Sequence, residues 1–131
     1  MAAVRILIVD DSQAWRRSVC LLLQEYLNVV ILCESLDGLD AVRKSEELQP
    51  DLILLDIGLP NLNGLEAARQ IRKVSPGSRI LFLTSYDGPE FLREALSIGA
   101  LGFVVKSHAA SDLLPAVRAV MQGQQFFDRG H

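Results

Sequence analysis

Only two cysteines, two histidines and one tryptophan occur in the 131 residues. Cys20 and Cys33 form no CxxC pair, so they read as two buried free thiols of a cytoplasmic protein rather than as a disulfide. No apolar run approaches the roughly 18 residues that a membrane span needs. Met1-Ala2-Ala3 leads straight into a strand-like segment, without the pattern of a signal peptide. Positive charge is in deficit: 13 Lys and Arg face 16 Asp and Glu, a net −3 that gives no footprint for nucleic-acid binding. Charge runs, low-complexity stretches and internal repeats are missing too. What is present is length for one domain and a hydrophobic fraction of 50%, rich enough for a sheet covered on both faces.

Strand-like and helix-like segments alternate five times. Val4–Val9, Val29–Cys33, Leu52–Leu55, Ile80–Leu83 and Leu101–Val105 are apolar runs without period-two alternation, as expected of strands buried on both sides. Between them lie helical stripes. Ser12–Leu27 has Ser12 as its cap and Val19, Leu22, Leu23 and Tyr26 on one face; Asp37–Leu48 turns Leu39, Val42 and Leu48 inward. Leu65, Ala68, Ile71 and Val74 mark a third helix, after a loop of Pro60, Asn61, Asn63 and Gly64. Phe91, Leu92, Ala95 and Ile98 mark a fourth, and Leu113, Leu114, Val117, Val120 and Met121 a fifth, which Gly123 ends. Pro115 falls inside this last stripe, so the helix either starts near Ser111 or is distorted there. The alternation predicts a doubly wound α/β domain with a five-stranded parallel sheet and five helices.

In such a sheet, ligands bind beyond the carboxyl ends of the strands, where strand order reverses. The residues at those ends are Asp10 and Asp11, Asp56, Thr84 and Lys106. Three clustered carboxylates repel one another unless a cation intervenes, and Mg²⁺ suits them as a hard ion that takes one or two carboxylates. A backbone carbonyl in the loop after Asp56 could add a further ligand. Asp56 can then attack phosphorus, while Lys106 and Thr84 neutralise and bind the phosphoryl oxygens. Taken singly, Asp11 is a helix cap, Lys106 a solvated loop residue and Thr84 a strand end. Their joint occurrence at the ends of strands one, three, four and five carries the reading.

The chain resembles the receiver domains of two-component response regulators. The resemblance is carried by Ile8-Val9-Asp10-Asp11-Ser12, by Asp51 through Gly64, by Ile80-Leu81-Phe82-Leu83-Thr84-Ser85 and by Gly99 through Lys106, and it runs from about Val4 to Gly123. It implies the flavodoxin-like strand order 2-1-3-4-5, with residues 1–124 as the receiver and 125–131 as a tail or the start of a linker. It implies that Asp56 accepts a phosphoryl group from a sensor histidine kinase. Asp11, Asp56 and the Gly58 carbonyl would hold Mg²⁺ directly, and Asp10 would act mostly through water. Thr84 and Lys106 would hold the phosphoryl oxygens, with Ser85 small enough to admit them. Phe103 would be a switch aromatic that turns inward when Thr84 moves, changing the surface of the fourth helix, fifth strand and fifth helix. The resemblance also implies a protein that assists its own phosphorylation and dephosphorylation without being an enzyme, and that dimerises on phosphorylation. Leu113 through Gly123 with Phe126-Phe127 resembles the NarL/FixJ type, in which a DNA-binding domain follows. Direct nucleic-acid binding by this domain is not implied.

Three departures bear on its behaviour. Ser107, not proline, follows Lys106, so a trans bond is expected. Gly58 has no side chain to orient a hydrolytic water, and the bulky Tyr86 could shield a phosphoryl group; together they point to slow self-dephosphorylation. Trp15, near the acidic rim, reads as core packing. The rivals are a free-standing receiver or partner-binding pseudo-receiver, and an aspartyl phosphatase of the haloacid dehalogenase type. The latter places its nucleophile after the first strand as Asp-x-Asp, unlike the adjacent Asp10-Asp11.

Overall fold

The computed structural model describes residues 3–127; Met1, Ala2 and 128–131, the end of the expected tail, lie outside them. The elements run β1 (Val4–Val9), α1 (Gln13–Tyr26), β2 (Val29–Ser35), α2 (Gly38–Leu48), β3 (Leu52–Leu55), α3 (Gly64–Val74), β4 (Arg79–Thr84), α4 (Pro89–Ile98), β5 (Gly102–Val105), α5 (Ala109–Met121) and β6 (Phe126–Phe127). All neighbouring strands pair in parallel, in the order β2-β1-β3-β4-β5-β6. The first five follow the expected order. The sixth corrects the expectation of five: Phe126 and Phe127, placed by sequence in the tail, pair with Gly102 and Phe103. Two residues are too short to show strand periodicity.

Successive strand residues point to opposite faces, and here both faces are apolar. Leu7, Val9, Ile53, Leu55, Phe82 and Phe103 face α2, α3 and α4, where Ala41, Ala67, Ala68, Ile71 and Ala95 meet them. Ile6, Ile8, Leu54, Leu81 and Val104 face α1 and α5, where Val19, Leu23, Leu113, Val117 and Val120 meet them. Helix starts are set by local chemistry. The side chains of Ser12, Asp37 and Asn63 accept the backbone N–H of Trp15, Asp40 and Glu66, each worth about 1 kcal/mol. Pro89 opens α4, and Gly99, at φ 98°, closes it.

Pro115 lies within α5, which begins at Ala109 after a short 3₁₀ turn over Lys106–His108. The interior proline costs about 3 kcal/mol. Leu113, Val117 and Val120 are buried on the same helix, at about 1.5–3 kcal/mol apiece, so packing outweighs it. Leu39 and Tyr26 do not face inward as expected; they are 56% and 57% exposed. On α2 the inward stripe is instead Gly38, Ala41 and Ser45, small residues that let the helix sit close to its neighbours. Cys20 and Cys33 are free, as expected, but only partly buried, and they pack against opposite faces of the sheet.

Candidate functional site

Strand order reverses between β1 and β3, and the predicted residues gather beyond the ends of these strands. β3 pairs with both β1 and β4, so Leu55 lies beside Val9 and Phe82. Asp56 follows directly, its N–H bonded to the Val9 carbonyl. Asp10, Asp11 and Asp56 can each offer an oxygen within 4.8 Å of the others. Asp10 and Asp56 are buried, while Asp11 is exposed. From the end of β5, Lys106 reaches in: its ammonium lies 2.7 Å from Asp10 Oδ2 and 3.1 Å from Asp56 Oδ2.

Burial pushes the Asp10 carboxyl above its ordinary pKa, and the nearby Asp56 charge pushes the same way. Hydrogen bonds from Lys106 and the Ser12 N–H oppose the rise without cancelling it. For Lys106, burial disfavours the ammonium, but the hydrogen bond to Asp10 and the charges of Asp56 and Asp10 prevail, so its pKa is raised. The lysine is therefore charged at neutral pH. Three carboxylates against one ammonium leave an excess of negative charge. With oxygen donors on both buried and open sides, that set fits a hard divalent cation such as Mg²⁺.

Thr84 is fully buried at the end of β4, beside Val105, and its Oγ1 accepts the Tyr86 N–H at 3.2 Å. It thus ends β4 beside the strand that leads into Lys106, with its Oγ1 engaged by its own loop. Ser85 is exposed. Gly58 donates its N–H to Asp56 Oδ1 across a long 3.4 Å. Phe103 is 1% exposed and tilts against Phe82, ring centroids 6.3 Å apart. It therefore already occupies the inward position that the resemblance gives to the switched state.

Three contacts escaped the sequence reading. Ser12, besides capping α1, donates its N–H to Asp10 Oδ1 at 2.9 Å. Arg16 donates to the Asp10 carbonyl at 2.6 Å and pairs with Glu34 at 3.0 Å, pinning the acidic turn to β2. Trp15 is partly buried against the core, as expected, but its ring also lies 5.1 Å from Lys106 Nζ. The loop-spanning arginine was invisible because nothing in sequence ties residue 16 to residue 34. The Ser12 amide could have been found, since an aspartate commonly accepts the N–H two residues on, here that of the helix cap.

Fold and pocket together define a doubly wound α/β domain with an acidic, lysine-bearing pocket at the switch point of its sheet. The chain belongs to the response regulator receiver domain family, whose model matches residues 6–118. It is 32% identical over 126 residues to the response regulator protein VraR of Staphylococcus epidermidis, covering 96% of this chain and 60% of that protein. It is 29% identical over 124 residues to an uncharacterized transcriptional regulatory protein, YxjL, of Bacillus subtilis, covering 95% of this chain and 57% of that one. The chain thus spans about three-fifths of the length of these curated relatives. Among solved structures, a two-component response regulator of the LuxR family from Aurantimonas sp. SI85-9A1 superposes with a TM-score of 0.90 at 32% identity, over 95% of this chain and 89% of that one. Among the described residues no helix is long and apolar enough to cross a membrane.

Proposed function

We propose that this chain is the phospho-accepting switch of a cytoplasmic two-component response regulator, with Asp56 as acceptor. The observation that carries the reading is the meeting of Asp10, Asp11 and Asp56 with the Lys106 ammonium in one pocket. Asp11, Asp56 and the Gly58 carbonyl would hold Mg²⁺, with Asp10 close by. When bound, the ion supplies positive charge against the phosphoryl oxygens. An Asp56 oxygen attacks phosphorus, the bond from phosphorus to the kinase's histidine nitrogen breaks, and the imidazole keeps the electron pair. Lys106 exchanges its carboxylate partners for a phosphoryl oxygen. Thr84, whose Oγ1 accepts the Tyr86 N–H, donates its own hydroxyl proton to another.

The added charge of about −1.5 to −2 draws Thr84 and Lys106 together, and β4 and β5 carry that movement to α4 and α5. Because Phe103 is already inside, the change at this surface comes from the Thr84 loop and α4 rather than from a large swing of the ring. The altered surface forms a homodimer and controls a DNA-binding domain, a reading supported by the similarity to LuxR-family and transcriptional regulators. The chain is a switch and not an enzyme with an external substrate.

The test uses phosphoramidate, a small phosphorus–nitrogen donor, with Mg²⁺. The account expects one phosphoryl group per chain, removable by hydroxylamine as acyl phosphates are and abolished by a chelator. A hydroxylamine-stable adduct, or none, contradicts it.

A further inference from the structure

The wall of the pocket on the α1 side is Trp15, the single tryptophan of the chain. Its backbone N–H donates to Ser12 Oγ at 3.2 Å, which sets the ring in the first turn of α1, directly after the acidic pair. Lys106 Nζ lies 5.1 Å from the ring centroid, inside the roughly 6 Å reach of a cation–π contact. The ammonium therefore has three neighbours: Asp10 at 2.7 Å, Asp56 at 3.1 Å and the indole face.

Two features separate this from packing alone. The Trp15 Nε1–H is buried with no protein partner, a desolvation cost that phenylalanine or leucine would not carry. In return, indole offers a cation the strongest attraction of the aromatic side chains. We propose that Trp15 is a positioning residue for phosphoryl uptake, its ring face holding the Lys106 ammonium between Asp10 and Asp56. The proposal rests on the receiver reading of the pocket. A flexible lysine stem otherwise spreads over several geometries, and a walled ammonium is already oriented when the phosphoryl oxygens arrive.

The experiment measures uptake from acetyl phosphate with Mg²⁺ for wild type, Trp15→Phe and Trp15→Leu, each also in a Lys106→Met background, with thermal melts to confirm folding. Trp15→Leu slows uptake about five-fold and Trp15→Phe stays within about two-fold of wild type. In the Lys106→Met background, Trp15→Leu adds nothing, because the residue acts through the lysine. Equal slowing by both substitutions, or an undiminished leucine effect without the lysine, overturns the proposal. Should Trp15→Leu not fold, the emission of Trp15 in unphosphorylated protein decides. Lys106→Met changes that emission if the contact exists, and superimposable spectra overturn it. This readout needs no phosphorylation, so a wild type that takes no phosphoryl group sinks the receiver reading separately from the contact itself.

Discussion

The Lys106 ammonium sits 3.1 Å from the Asp56 carboxylate, although the two residues are 50 positions apart. It shares itself with Asp10, and these two carboxylates keep it charged despite its burial. A cation already bound to two of the three carboxylates competes with a second one. Lys106→Met should therefore bind Mg²⁺ about ten-fold more tightly, while taking up phosphoryl groups more slowly. Ten-fold is about 1.4 kcal/mol, a modest share of the ~4 kcal/mol that two unit charges 4 Å apart exchange near a protein surface. Calorimetric titration with Mg²⁺ checks it, and unchanged affinity would show that the ammonium does not compete.

Gly64 opens α3 against the backbone of Asp56. A β-carbon there would fall 1.9 Å from the Asp56 carbonyl oxygen, a backbone atom that cannot rotate away. Gly64→Ala should destabilise the fold by about 1–3 kcal/mol and displace Asp56 with it. Denaturant midpoints measure the first effect and phosphoryl uptake the second. A variant of wild-type stability would show that the α3 start has room to shift.

Tyr86 covers position 58, where a β-carbon would lie 2.9 Å from its hydroxyl. The ring is braced edge-on by Phe91 at 5.1 Å between centroids. From there the ring would stand between water and a phosphoryl group on Asp56, so slow self-dephosphorylation is expected. Tyr86→Ala should shorten the phosphoryl lifetime about ten-fold, roughly 1.4 kcal/mol of barrier. The decay of phosphorylated protein after donor removal reports this; a wild-type half-life of seconds would contradict the shielding role.

Away from the pocket, Asp40 gives a pH test of stability. Burial acts to raise its pKa, but the hydrogen bonds from Lys44 and Ser35, the Lys44 charge and the hydrogen bond from Arg43 outweigh it and hold the carboxyl below its usual value near 4. A depressed folded pKa gives stability that is full above the unfolded value and lost as pH falls through the folded one. Wild type should exceed Asp40→Asn by about 0.5–1 kcal/mol at pH 7, the scale of a surface ion pair, with the gap closing below about pH 4. Denaturant unfolding across that range measures it, and a gap that widens in acid would reverse the sign.

The sequence made the pocket legible because strand ends are legible: each apolar run stops at a polar residue, and parallel topology brings those stops together. Asp10, Asp11, Asp56 and Lys106 converge for that reason. The start of α5 and the sixth strand were not legible. Pro115 left a start near Ser111 or a distortion open; the helix starts earlier, at Ala109, and buried Leu113, Val117 and Val120 carry it through the proline. Phe126 and Phe127 were too few to show a period. On α2 the apolar stripe pointed to Leu39, whereas the buried face is built from the smaller Ala41 and Ser45. Side-chain pairings between distant segments, such as Arg16 with Glu34 and Trp15 with Lys106, leave no trace in local periodicity.

The central claim is that Asp56 is the acceptor. Intact-mass spectrometry after incubation with acetyl phosphate and Mg²⁺ tests it most directly, comparing wild type with Asp56→Asn. The account predicts one added phosphoryl group on wild type and none on the variant, which keeps the fold and the Lys106 contacts to Asp10. Equal phosphorylation of both proteins, or of neither, would contradict it.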